Sequence, residues 1–328
     1  MNSRTTSTPP GQRTRWWGKT AVLGAAFALA GLQANAQVSG YGFSQSAGTF
    51  TALSAGRTIA FTATALATAD PGLGDDRNFT LAAGTIPFTF TFNGVGYTGV
   101  NINTNGYVTF GATLPLTTDR SGISNTTAWS VSIVARGSDL SANTNAANLG
   151  EISYEVLGSA PNRTFAIQYA KYRRFSTSST FTENYNFQIR LNESGNTAQI
   201  VYGACISTAT SSCQVGLRGA TNADFNNRTS ATNWAATTAG GTNTATISHT
   251  TTINPASGQT FTFTPPVPCT SLGSLAGGAA TSTATSSCGT LASATLSVTG
   301  ASSGVTGLTF QWRSGPVGNH FVHLNQSL

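Results

Sequence analysis

The chain is poor in charge of either sign: Asp, Glu, Lys and Arg make up 8% of its 328 residues, against about a quarter in ordinary soluble domains. Thr, Ser, Asn and Gly fill the polar positions, so hydroxyls and amides must hydrate the surface. The formal net charge is +6, but Arg4, Arg13, Arg15 and Lys19 lie in the first 36 residues. Without those four, 12 basic residues face 10 acidic ones, a net of +2, which is no nucleic-acid footprint. Helix formers such as Glu, Lys and Met are scarce, and no segment after the N-terminus repeats at 3.6 residues, which excludes a helical fold. There is no GxSxG elbow, no CxxC pair and no Gly-rich phosphate loop of the required spacing, which removes the usual signatures of those hydrolases, zinc sites and nucleotide sites.

What is present is alternation. Phe165, Ile167 and Tyr169 alternate with Thr164, Ala166, Gln168 and Ala170. Tyr185, Phe187, Ile189 and Leu191 alternate with Asn186, Gln188 and Arg190, and Ala198, Ile200 and Tyr202 form a third run. Successive strand residues point to opposite faces, so each run offers one apolar face to a core. The link Asn192 to Asn196 contains Gly195 and reads as a hairpin loop. Phe88, Phe90 and Phe92 share another face and end at Asn93-Gly94, a pair that tolerates positive φ and suits a type I′ turn. Further strands are expected near Tyr41 to Phe50, Ile59 to Ala67, Val95 to Val100, Tyr107 to Phe110, Glu151 to Val156, Cys213 to Leu217 and Gln259 to Thr264. With 39% apolar residues there is enough for a buried core. The expectation is an all-β, two-sheet antiparallel sandwich of about ten to twelve strands, jelly-roll or concanavalin-like.

Residues 1–36 read as a secretory signal peptide: a basic start, an apolar run from Ala21 to Leu32, and Ala34-Asn35-Ala36 before Gln37. The run is about a dozen residues, short of the roughly 20 needed to span a bilayer, and the mature chain has no other candidate span. The expected location is therefore secreted, extracellular or cell-surface. Residues 37–264 form the sandwich module, Pro265 to Pro268 a stiff linker, and residues 269–328 a partial Ig-like module. Leu308 to Trp312 resembles the Ig strand that carries the core tryptophan, yet barely 60 residues remain where about 100 are needed, and the tail from Ser314 loses alternation. The C-terminus is thus read as truncated. Export permits disulfides, and local pairing of Cys205 with Cys213 and of Cys269 with Cys288 needs the least chain rearrangement of the three possible connectivities.

The apolar hairpin followed by Asn105-Gly106-Tyr107-Val108-Thr109-Phe110-Gly111 resembles the N-terminal module of large bacterial surface proteins exported through the type IX secretion system. Ile152-Ser153-Tyr154, Ala160 to Arg163, Asn186-Phe187-Gln188, Tyr202-Gly203 and Gly216 to Gly219 add to the likeness, over about residues 40 to 264. Where that group carries an aromatic and acidic segment, Val134 to Leu140 stands here, and only Asp139 and Leu140 match its end. The resemblance implies an adhesin-like secreted protein.

Five residues, Lys171, Tyr172, Arg173, Arg174 and Phe175, interleave cations with aromatics and form the candidate ligand-binding surface for glycans or surface proteins; charge protecting a strand end is the competing reading. The loop Asn222 to Thr229 is a second candidate. Asp70, Asp75 and Asp76, with Asp139, are candidate metal ligands for calcium, but the spacing is not that of a known calcium loop, and a solvated acidic turn at Asp70 to Asp76 is the favoured reading; otherwise no cofactor is expected. His249 in Ile247-Ser248-His249-Thr250 reads as an exposed strand or loop residue. No catalytic set is expected. Adhesion or structural binding is the first functional reading; the alternative is a carbohydrate-binding module once attached to a polysaccharide-degrading enzyme.

Overall fold

The computed structural model describes residues 37–63, 74–127, 129, 131–176 and 182–266, together with the backbone of residues 277–282, 296–301, 308–313 and 321–326. The signal-peptide segment, Asp70, Cys269, Cys288 and the second half of the linker lie outside the described residues. In chain order the sandwich strands begin with β1 (Gly42–Ser46), β2 (Thr58–Thr62), β3 (Asn78–Leu81), β4 (Phe90–Phe92), β5 (Val95–Tyr97) and β6 (Val100–Asn103). They continue with β7 (Tyr107–Phe110), β8 (Val131–Gly137), β9 (Leu140–Ala142), β10 (Glu151–Leu157), β11 (Thr164–Arg174) and β12 (Tyr185–Asn192). The last are β13 (Ala198–Tyr202), β14 (Ser211–Arg218), β15 (Phe225–Thr229), β16 (Thr238–Ala239), β17 (Ile247–His249) and β18 (Thr260–Thr264).

Two eight-stranded antiparallel sheets result. The first runs β1-β18-β13-β12-β11-β10-β2, with β9 against the end of β11; the second runs β16-β15-β14-β8-β7-β6-β3, with β17 beside β14. The all-β sandwich is as expected, with more strands than alternation revealed. Strands such as β15, Phe-Asn-Asn-Arg-Thr, and the two-residue β16 are too polar or too short to carry a period-two signal.

The three central runs form β11, β12 and β13 and pair as their patterns require. Phe165 faces Leu191, Ile167 faces Ile189 and Tyr169 faces Phe187, while Ile189 faces Ile200 on the other side. All of these side chains are completely buried, and each contributes roughly 1.5–3 kcal/mol by leaving water. The Asn93-Gly94 turn joins β4 to β5 with φ of 51° and 76°, the left-handed pair a type I′ turn needs. Two tyrosines of the first sheet tie the layers together. The Tyr169 hydroxyl lies 2.7 Å from the Asn103 carbonyl and 3.0 Å from that of Tyr107, and Tyr202 donates to the Ala135 carbonyl at 2.6 Å.

Alternation breaks inside β11. The pairing of β11 with β12 shifts register between Tyr169 and Tyr172, and Lys171 sits at φ 57°, a bulge that places two residues opposite one. Tyr169 and Tyr172 therefore both reach the core, with ring centroids 5.4 Å apart.

Beyond the sandwich, the backbone forms two further ladders: β19 (Gly277–Ser282) with β20 (Leu296–Ala301), and β21 (Leu308–Arg313) with β22 (Phe321–Gln326). Trp312, on β21, stands opposite Val322 on β22.

Candidate functional site

The turn Asn103 to Gly106 joins β6 to β7 and organises the most unusual polar cluster in the molecule. Gly106 has φ 84°, and a Cβ there would collide with the Arg136 carbonyl oxygen, so only glycine fits. Its own carbonyl accepts the backbone N–H groups of Ala135 and Arg136 at 3.1 and 3.0 Å. Asn105 is completely buried. Its amide donates to Asp76 Oδ1 at 3.1 Å, and its carbonyl oxygen accepts the Leu140 N–H at 2.9 Å. One side chain therefore ties the segment before β3 to the loop between β8 and β9.

Those two loops carry Asp75, Asp76 and Asp139. One carboxylate oxygen from each lies within 4.8 Å of the others, so three of the four candidate metal ligands converge. Arg120 pairs with Asp139 at 2.9 Å. Asp75 Oδ1 and Asp139 Oδ1 are buried and have no hydrogen-bond partner among the described residues. Burial, with the charges of Asp76 and Asp139 beside it, pushes the Asp75 carboxyl up to about 7. The Asp139 carboxyl is also raised, mainly by burial, against the pull of Arg120.

The cation and aromatic cluster is arranged differently from a flat binding face. Tyr172 and Arg173 are buried, Lys171 and Arg174 half-buried, and Arg174 pairs with Glu183 at 3.4 Å. The Phe175 N–H donates to the Asp139 carbonyl at 2.9 Å, so this segment backs onto the acidic cluster. The loop Asn222 to Thr229 clamps the start of the described chain: Asp224 accepts the N–H groups of Val38 and Ser39 at 3.1 and 3.0 Å, and Asn226 donates to the Tyr41 carbonyl at 2.8 Å. Beside it lies a groove of about 290 Å³ lined by Tyr41, Phe43, Phe225, Asn226 and Arg228 among others.

Two expectations are corrected. The Cys205–Cys213 bridge is not formed: both are free thiols, Cys213 in the core and Cys205 packed against it. Each sulfur instead approaches a backbone carbonyl, that of Asn186 at 3.6 Å and that of Ile247 at 3.9 Å respectively. His249 is not exposed: it is 2% accessible on β17, with Nδ1 3.1 Å from the Ser207 hydroxyl and its ring edge-on to Tyr185.

The sequence gives no hint of the importance of Arg136. Its side chain is completely buried, its three nitrogens have no hydrogen-bond partner among the described residues, and its guanidinium lies 3.5 Å from the centroid of the Tyr185 ring. Arg218 over Trp129, at 4.2 Å, and Arg228 over Phe43, at 3.7 Å, repeat the arrangement. Arginines are compatible with strand positions, so no local pattern separates a buried one from a solvated one.

Among the described residues no helix is long and apolar enough to cross a membrane. No curated protein and no solved structure matches the chain. The model of a family described as NIDO related, of a domain type typical of extracellular proteins, matches residues 40–265, the span from just before β1 to just after β18. This match covers well over half of the sequence, and the chain belongs to the NIDO-related family.

Proposed function

We propose that the chain is a secreted or cell-surface binding module without catalytic activity, working in adhesion or as a structural element. The observation that carries this reading is the surface. Among the residues whose side chains are described, the exposed large apolar ones are Ile59, Val95, Leu114, Leu116, Val156 and Ile206, and every Phe, Tyr and Trp is at least half-buried. A sugar platform needs exposed ring faces, whereas a Thr- and Asn-coated sheet suits contact with protein surfaces. Three glutamates of the sandwich have structural employment: Glu151 pairs with Arg57 at 2.6 Å, Glu193 with Arg163 at 2.6 Å, and Glu155 accepts the Ser54 N–H at 2.8 Å. Export by the type IX route, and an Ig-like repeat beyond the linker, are parts of this proposal that rest on the sequence resemblance.

A second reading, carbohydrate binding, is favoured by the groove at Tyr41, Phe43 and Phe225, whose rings and amides could hold one sugar unit. Labelled full-length protein on a glycan array, with calcium or with chelator, and on bacterial cells before and after protease treatment, separates the two. Saturable cell binding abolished by protease, with none on the array, supports adhesion through proteins. Saturable array binding lost in Phe225→Ala or Lys171→Ala would replace it with carbohydrate recognition.

A further inference from the structure

We propose that Asp75, Asp76 and Asp139 form a binding site for a divalent cation of the calcium type. The residues come from two loops far apart in sequence, yet one oxygen from each lies within 4.8 Å of the others. Like charges at that separation repel unless a cation offsets them. Arg120 pairs with Asp139, but its side chain is 52% exposed, so its compensation is screened by water; the buried Arg173 also bears on Asp75, while its guanidinium donates to the carbonyls of Arg174 and Ser176.

An independent observation comes from the other side of the cluster. Tyr172 is completely buried, and its hydroxyl has no hydrogen-bond partner among the described residues. Its strand meets the segment that carries the acidic residues: Tyr172 pairs across the ladder with Ala142, whose N–H donates to the Gly74 carbonyl at 3.2 Å, one residue before Asp75. A buried polar group left unpaired costs about 1–3 kcal/mol, and here the Tyr172 hydroxyl and two carboxylate oxygens, Asp75 Oδ1 and Asp139 Oδ1, are left so on segments that adjoin one another. A hydrated cation satisfies all three. The carboxylate oxygens become ligands, and a coordinated water hydrogen-bonds to the phenol.

The donor set selects the ion. Every candidate ligand is a hard oxygen. Asn105 engages Asp76 Oδ1, Arg120 engages Asp139 Oδ2 and the Asp76 N–H engages Asp75, leaving three of the six carboxylate oxygens. Calcium accepts six to eight oxygens in irregular geometry and completes its shell with water, whereas magnesium demands a near-ideal octahedron. Loops held by a shared asparagine suit the former. The inference is independent of whether the module binds proteins or sugars.

The test is calorimetric titration of the chelator-stripped full-length protein with calcium chloride, paired with thermal melting. One saturable site is expected, lost in Asp76→Asn and Asp139→Asn, with calcium raising the melting temperature of the unsubstituted protein alone. Arg120→Ala, a change at a largely exposed side chain, removes the competing cation and should tighten binding several-fold. The proposal is overturned by a folded protein that shows no saturable uptake up to about 10 mM, beyond the range of extracellular calcium modules. Binding that survives both Asn substitutions, or that Arg120→Ala leaves unchanged or weakens, overturns it equally.

Discussion

The guanidinium of Arg136, on β8 of one sheet, lies 3.5 Å from the centre of the Tyr185 ring, on β12 of the other. The ring is the partner the structure offers to a completely buried charge, and a desolvated cation–π contact is worth about 2 kcal/mol or more. Tyr185→Leu should therefore destabilise the protein by about 3 kcal/mol or more, through lost packing and a stranded charge. Arg136→Met, which removes the charge and keeps most of the volume, should be close to neutral or stabilising. Urea unfolding of both variants checks this; a loss in Arg136→Met as large as in Tyr185→Leu would show that the charge itself holds the sheets.

Tyr169 hydrogen-bonds across the sandwich to the carbonyls of Asn103 and Tyr107. Phenylalanine fills the same space but leaves these buried acceptors without that donor. Tyr169→Phe is expected to cost about 1–2 kcal/mol with the denaturant slope unchanged. A change below about 0.5 kcal/mol would mean the hydroxyl is dispensable to the inter-sheet contact.

Asn105 holds two loops with one side chain. Asn105→Ala deletes the bonds to Asp76 and Leu140 together and should cost about 2–4 kcal/mol. Because the loops rather than the central strands lose their tie, hydrogen exchange should quicken at Asp75 to Asn78 and Ser138 to Ala142 more than in β12. Uniform acceleration would argue against a local role.

His249 makes stability depend on pH. Burial, reinforced by Arg136 and then Arg174, lowers its pKa from 6.5 to about 3. Between those values the unfolded chain takes up a proton that the folded chain refuses. The contribution of His249 is therefore present in full above about pH 6.5 and is lost progressively as the pH falls towards 3, a loss on the order of a few kcal/mol. Melting temperatures of the unsubstituted protein and His249→Gln, compared from pH 7.5 to 4.5, should show a steeper decline in the former. Parallel curves would refute a neutral buried histidine.

Cys213 is a free thiol in the core, where burial pushes its pKa up to about 11. The thiolate is the reactive form, so alkylation by iodoacetamide at pH 8 should leave Cys213 unmodified in the folded protein and modify it fully in urea, as read by peptide mass spectrometry. Rapid labelling of the folded protein would show that the pairing of β14 with β17 opens.

Much of the architecture was legible because a strand's side-chain period is a local property. The runs of β11, β12 and β13 pair in the register their patterns imply, and Asn93-Gly94 makes its turn from its own φ preference. The signature around Asn105-Gly106-Tyr107 was visible too, but not its purpose, since the partners of Asn105 come from segments about thirty residues away on either side. The cation and aromatic cluster shows where local reading ends. Strict alternation would send Tyr172 away from Tyr169, yet the bulge at Lys171 turns both to the core and draws Arg173 inside with them. A bulge follows from how neighbouring strands fit, which no single run of residues encodes.

The same division holds for the acidic residues. Composition and periodicity alone settled that the chain builds an all-β sandwich with few ions to spare. Packing of the β8–β9 loop against the segment before β3 settled which of those few ions meet, because carboxylates far apart in the chain repel and come together only when the burial of hundreds of other atoms holds them there.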